Sequence, residues 1–118
     1  MMEEIKQIKI IHPTFDADGY PTEETELAIK TWDCRDMDGW IKYIYETWNH
    51  NYGRIFEENG LFKMATGGWS GNESIISSMR ENYALWSVLW ESSHRGGLEV
   101  FRIFNNQKSY LSQINHEK

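Results

Sequence analysis

Apolar residues recur at helical spacing between residues 37 and 48. Five apolar side chains lie three, four or seven positions apart, namely Met37, Trp40, Ile41, Ile44 and Trp48. This spacing predicts an amphipathic helix with one apolar face. Asp36 is a suitable N-cap for it. The polar residues of 49–53 end it.

A shorter helix is predicted ahead of this one. Thr22 is a plausible N-cap, and the acidic residues at 23, 24 and 26 oppose the positive end of the helix dipole. This helix ends near Trp32. Further upstream, isoleucine alternates with lysine over residues 8–10, which favours a short strand.

The dipeptide Asn59-Gly60 predicts a β-hairpin. It is the preferred sequence for a two-residue type I′ turn, and it separates RIFEE from LFKMAT. The register that follows places Ile55 opposite Met64 and Glu57 opposite Phe62. Ile55, Phe62 and Met64 then share the face that meets the core.

The second half predicts one long helix and one inner strand. Between residues 72 and 93, apolar side chains form one broad arc on a helical wheel. Asn82 lies at the edge of that arc and must find a hydrogen-bond partner. Gly96-Gly97 ends the helix. The following GLEVFRIF is apolar on both faces, which is typical of a strand inside a sheet.

These elements predict an α+β fold. We expect a small, mainly antiparallel sheet of three to four strands, with helices packed on one face and one long central helix. Residues 1–104 form the single domain, and residues 105–118 form a polar C-terminal tail.

Composition narrows the functional classes. The 118 residues carry a formal charge of −6, and they hold no cluster of basic residues that would neutralise many phosphates. General nucleic-acid binding is therefore not expected. No apolar stretch approaches the ~20 residues of a membrane helix, and no signal peptide is recognised, so we expect a cytoplasmic protein. The lone Cys34 argues against a disulfide framework.

Charge is uneven along the chain. Residues 1–60 contain 13 acidic and 6 basic side chains, a net charge of −7, whereas residues 61–118 contain 5 acidic and 6 basic ones. An anion would therefore be tolerated better by the second half of the chain.

The strongest candidate site is the glycine-rich stretch at 66–73, which leads into the long helix. Its predicted ligand contacts are Gly67, Gly68, Trp69, Ser70, Gly71 and Asn72. Glycines let the backbone approach a ligand closely, and the unpaired N–H groups of a helix start attract anions. Trp69 would stack on a base, and Arg80, two turns along, would add positive charge. The alternative is a capping box, in which Ser70 and Glu73 occupy those donors.

Other motifs fit less well. The Walker loop and the nucleophile elbow both fail on spacing. Asp16 and Asp18 resemble part of a calcium loop, but an Asx turn explains them better. The four histidines and Cys34 share no metal-ligand spacing. We therefore expect no metal and no cofactor.

A second glycine pair, Gly96-Gly97, also resembles a site. A helix of about 22 residues is ~33 Å long, so both glycine segments could not reach one small molecule within a protomer. They would meet only across two protomers, for instance in an antiparallel homodimer. Arg95 would then come from the partner protomer.

Three segments of the chain resemble a family of small phage-encoded proteins: PTEETELAIKTWD, TGGWSGNESIISSMRENYALWSVLWESS and HRGGLEVFRI. The resemblance covers about residues 12–102 and centres on TGGWSGNE and SSHRGG. It implies a viral accessory protein in the cytosol of a bacterial host. It transfers no catalytic residue, because the family has none assigned.

Three functional hypotheses follow. The first is a non-enzymatic protein that binds an anionic, nucleotide-like ligand at Gly67 to Glu73, helped by Arg80 or Arg95. The second is an inhibitor that binds a host protein through the acidic first half or exposed tryptophans. The third is a small hydrolase using Ser70 or His94, which is the weakest because no catalytic motif is complete.

Overall fold

The computed structural model describes residues 11–102. Eight elements follow one another in this range: α1 (Glu23–Thr31), α2 (Met37–Thr47), β1 (Arg54–Glu58), β2 (Leu61–Ala65), α3 (Ser70–Glu81), α4 (Tyr83–Leu89), β3 (Trp90–His94) and β4 (Leu98–Arg102). The predicted strand at residues 8–10 and the predicted tail lie outside the described residues. In residues 11–102 no helix is long and apolar enough to cross a bilayer.

The strands form one antiparallel sheet in the order β1-β2-β4-β3. The α+β fold with a four-stranded antiparallel sheet is thus confirmed, and β4 lies inside the sheet as predicted. The hairpin register is also confirmed, because Ile55 faces Met64 and Glu57 faces Phe62. Asn59 and Gly60 both have positive φ, at 55° and 79°, as a type I′ turn requires.

Both predicted N-caps of the first two helices are confirmed. The Thr22 hydroxyl accepts the N–H of Thr25, and the Asp36 carboxylate accepts the N–H of Gly39. The predicted face of α2 is buried through Trp40, Ile41, Ile44 and Trp48. Together with apolar residues of α1, α3, α4, β2 and β4, it forms the core.

The prediction of one long helix is wrong, because the helix is interrupted at Asn82. The Asn82 side chain accepts the N–H of Leu85 and so caps α4, while its amide donates to the carbonyls of Ile29 and Trp32 at the end of α1. These bonds satisfy the buried amide, but the backbone of Asn82 leaves the helix (ψ 80°). Residues 90–94 then form β3, paired with β4.

The segment at 16–20 is an Asx turn, as predicted. One carboxylate oxygen of Asp16 accepts the N–H groups of Asp18 and Tyr20, at 2.9 and 3.0 Å.

Within residues 11–102, no group of three or more histidine, cysteine or acidic side chains is placed to hold a metal ion.

Candidate functional site

The first glycine turn joins β2 to α3. Gly67 and Gly68 have φ of +69° and +79°, a region in which side chains with a Cβ are strained. A Cβ at Gly67 would also overlap the carbonyl oxygen of Tyr52, whereas one at Gly68 would meet open space. Gly67 is therefore needed for packing, and Gly68 lies against solvent.

The predicted capping box is wrong. α3 begins at Ser70, so Trp69 is the N-cap residue, and no side chain accepts its first N–H groups. The Ser70 hydroxyl instead lies 2.8 Å from the hydroxyl of Tyr20, and the Glu73 carboxylate lies 3.5 Å from the hydroxyl of Thr66. The start of α3 is left without a side-chain cap.

Trp69 packs inside the protein's own turn. Its ring lies 4.8 Å from that of Tyr20 and 5.1 Å from that of Tyr52, centroid to centroid. A Cβ at Gly71 would overlap the same indole, so Gly71 allows the ring to lie against the start of α3. These contacts give Trp69 and Gly71 a role in packing the turn.

Asn72 has a structural role. It is 0% exposed, and its side-chain oxygen accepts the N–H of Asn49 at 2.9 Å. Its side-chain nitrogen donates to the carbonyls of Asn49 and Thr66, at 3.2 and 3.3 Å. The buried amide is thereby satisfied and fastens the start of α3 to the end of α2 and of β2.

The second glycine pair is a hairpin turn between β3 and β4, not the end of a helix. The N–H of Thr66 donates to the carbonyl of Gly97 at 3.0 Å. A Cβ at Gly97, where φ is +82°, would overlap the Thr66 hydroxyl. The two glycine turns are therefore neighbours within one protomer, and the expectation that they meet only across a dimer is wrong.

A cleft of about 200 Å³ lies where these turns and α3 meet. Its walls come from the ends of β2 and β4 and from one face of α3, and its lining residues are Thr66, Glu73, Ile76, Ser77, Arg80, Gly97 and Glu99. Of the predicted site residues, Arg80 lines this cleft, and Arg95 lies in the same turn as Gly97. Gly67, Gly68 and Trp69 directly follow Thr66 in the chain.

Glu99 is a buried acid at the base of the cleft, with a side chain 8% exposed. Its carboxylate accepts a hydrogen bond from Arg80 Nη2 at 3.0 Å and from Trp90 Nε1 at 3.3 Å, and a short one from the Ser93 hydroxyl. A buried carboxylate needs such donors to offset its desolvation. The three donors thus satisfy the Glu99 carboxylate within the fold.

One arginine, Arg80, lines the cleft, and a second, Arg95, lies in the neighbouring turn. The Arg80 side chain is 53% exposed, and its guanidinium lies 5.3 Å from the ring centroid of Trp86. Arg80 spends one of its five N–H donors on Glu99. Arg95 is exposed and has no ion pair among residues 11–102.

A second groove, of about 290 Å³, lies between Ile11–His12 and α2. Trp32 donates its indole N–H to Asp36 there, and His12 lies 3.5 Å from Glu46. None of the predicted site residues lines this groove.

The residues of the hydrolase hypothesis are not brought together. Ser70 contacts Tyr20 rather than a histidine. His94 Nε2 lies 2.9 Å from the hydroxyl of Ser92 on β3, and both residues belong to an edge strand. No carboxylate within residues 11–102 is hydrogen-bonded to this histidine, so the third member of a triad is missing from the described part.

Sequence reasoning missed Ile76, Ser77 and Glu99 as cleft residues, whereas Thr66 belongs to the predicted stretch at 66–73. One signal for Glu99 was present, because it is a lone acid in the apolar strand GLEVFRIF, and buried charges mark sites or ion pairs. Ser77 gave no signal, since it reads as an ordinary polar position on a helix.

No family model, curated protein or solved structure matches this chain. The resemblance to phage-encoded proteins therefore stays a prediction.

Proposed function

We propose that this chain is a non-enzymatic protein that binds a small anionic ligand in the cleft between α3 and the ends of β2 and β4. One observation carries the proposal: the hydrogen bond from Thr66 to Gly97 joins the two glycine segments at the cleft that these two residues and Arg80 line. The ligand's anionic group pairs with the free donors of Arg80, and Arg95 adds positive charge from the neighbouring turn.

The size of the cleft limits the ligand. Pockets for drug-sized molecules enclose ~300–1,000 Å³, so a cleft of about 200 Å³ takes a smaller molecule or one part of a nucleotide. A second protomer is not needed to complete the site.

Isothermal titration calorimetry tests this function. The probes are inorganic phosphate, ribose 5-phosphate and the nucleoside monophosphates. Ser77→Gln fills the cleft from an exposed helical position, so we expect it to abolish binding. Ser87→Gln is the matched control, because Ser87 is an exposed helical serine outside the cleft, and it should bind as the unchanged protein does. Absence of heat with every probe would refute anion binding.

The resemblance to phage-encoded proteins supports a setting for this binding. We infer that the protein acts in the cytosol of a bacterial host, where it would sequester its ligand rather than convert it.

A second candidate function is inhibition of a host protein through an exposed apolar surface. Three large apolar side chains lie within eight residues and are strongly exposed: Tyr83 (79%), Val88 (51%) and Trp90 (41%). Exposed apolar groups of this kind are common at protein interfaces. A host protein captured from bacterial lysate should be lost with Tyr83→Ser/Val88→Ser and retained with Leu27→Ser, an exposed position on α1. Equal capture by both variants would exclude this surface.

A further inference from the structure

The carboxylate of Glu73 lies in the same cleft as Arg80, so a ligand there needs a hydrogen-bond donor as well as an anionic group. This carboxylate is exposed and has one long contact, 3.5 Å from the Thr66 hydroxyl. The other acid, Glu99, is buried and already bonded to three donors. Glu73 is thus the carboxylate that remains available to a ligand.

The spacing along α3 places Glu73 and Arg80 on the same face of the helix. They are seven positions apart, which is about 10 Å at the backbone. The Arg80 guanidinium pairs with Glu99 and lies close to the ring of Trp86, and within residues 11–102 it forms no ion pair with Glu73. The α3 residues that line the cleft between them, Ile76 and Ser77, carry no charge.

We propose that the ligand is a nucleoside monophosphate whose base carries an amino group. Its phosphate pairs with Arg80, and the N–H donors of its base face the carboxylate of Glu73. Because a cleft of about 200 Å³ holds only part of a nucleotide, the ribose that joins these two groups lies outside the cleft. An acidic side chain accepts such donors well, whereas it repels a ligand that carries negative charge alone. This inference rests on the proposed function.

Calorimetric titration with GMP, AMP and ribose 5-phosphate tests the role of Glu73. We expect GMP or AMP to bind at least tenfold more tightly than ribose 5-phosphate, which lacks the base. Glu73→Gln should weaken nucleotide binding at least tenfold, and it should leave ribose 5-phosphate binding equal or tighter because the repulsion is removed. These opposite responses separate recognition of the base from a general loss of fold.

Glu81→Gln is the matched control, since it removes the same charge from the same helix outside the cleft, and it should change neither affinity. Ribose 5-phosphate binding as tightly as GMP and AMP, or nucleotide affinity unchanged in Glu73→Gln, would overturn the assignment of Glu73 and leave anion binding intact. No binding of any probe, phosphate included, would overturn the proposed function itself.

Discussion

Replacing Asn82 should destabilise the protein strongly, because this side chain joins three helices. Its oxygen caps α4 through Leu85, at 3.3 Å, and its nitrogen donates to the carbonyls of Ile29 and Trp32, at 3.0 and 3.2 Å. Loss of an N-cap costs ~1 kcal/mol. Leaving a buried carbonyl without a donor costs ~1–3 kcal/mol.

Asn82→Ala removes both contributions. The carbonyl of Ile29 keeps a second donor, the indole N–H of Trp40 at 2.9 Å, so we count one orphaned carbonyl, that of Trp32, which is only part-buried and costs the lower end of the range. The expected loss is then about 2 kcal/mol in the free energy of unfolding. Asn82→Ser keeps an oxygen for the cap and loses only the amide donors, so it should cost about 1 kcal/mol.

Urea unfolding followed by tryptophan fluorescence measures these losses, with the slope on denaturant expected to stay unchanged. Asn51→Ala is the control, because the exposed Asn51 side chain has no hydrogen bond within residues 11–102. It should stay within ~0.5 kcal/mol of the unchanged protein. If Asn82→Ala were as stable as this control, the hydrogen bonds that break the long helix would contribute nothing.

Three further predictions concern the turn, the core and the surface. Alanine at Gly96 or Gly97 should cost ~1–2 kcal/mol because the backbone is left-handed at both positions. Gly97→Ala should cost more than Gly96→Ala, since only the Cβ at position 97 overlaps Thr66. Equal free energies of unfolding for the two variants would contradict this contact. Burial raises the pKa of Tyr43, so the free energy of unfolding should fall as the pH rises above ~10, the pKa of an exposed tyrosine. In Tyr43→Phe this fall should be less steep, which alkaline denaturation can measure. The hydrogen bond from Arg35 holds the pKa of Asp33 at about 2. The stability that this pair contributes is therefore present above pH ~4 and is lost as the pH falls toward 2. An NMR titration of Asp33 with a midpoint near 3.8 would exclude the pairing.

Local signals in the sequence were sufficient for the first four elements. The hairpin followed from Asn59-Gly60, and α1 and α2 from their caps and spacing, because each depends on residues close in the chain. The α+β class followed from the sum of these elements. Such signals needed no knowledge of distant contacts.

The site required contacts that the sequence does not display. Apolar spacing continued through Asn82, but asparagine prefers a cap to a helix interior, and the carbonyls at the end of α1 supplied its partners. Residues 90–94 became a strand because they pair with β4 across the turn at 95–97, and this pairing overrides helical propensity. Once the helix was broken, Gly97 reached Thr66 and the cleft formed.

The place of β4 in the sheet has a consequence for how the chain is made. β4 is the last described strand in the sequence, yet it lies between β2 and β3. During synthesis the β1–β2 hairpin emerges first, and its inner edge has no neighbour until residues 98–102 leave the ribosome. Such late, long-range closure slows folding. A chain that ends before residue 98 would therefore lack the pairing of β4 with β2, its pairing with β3, and the ligand cleft.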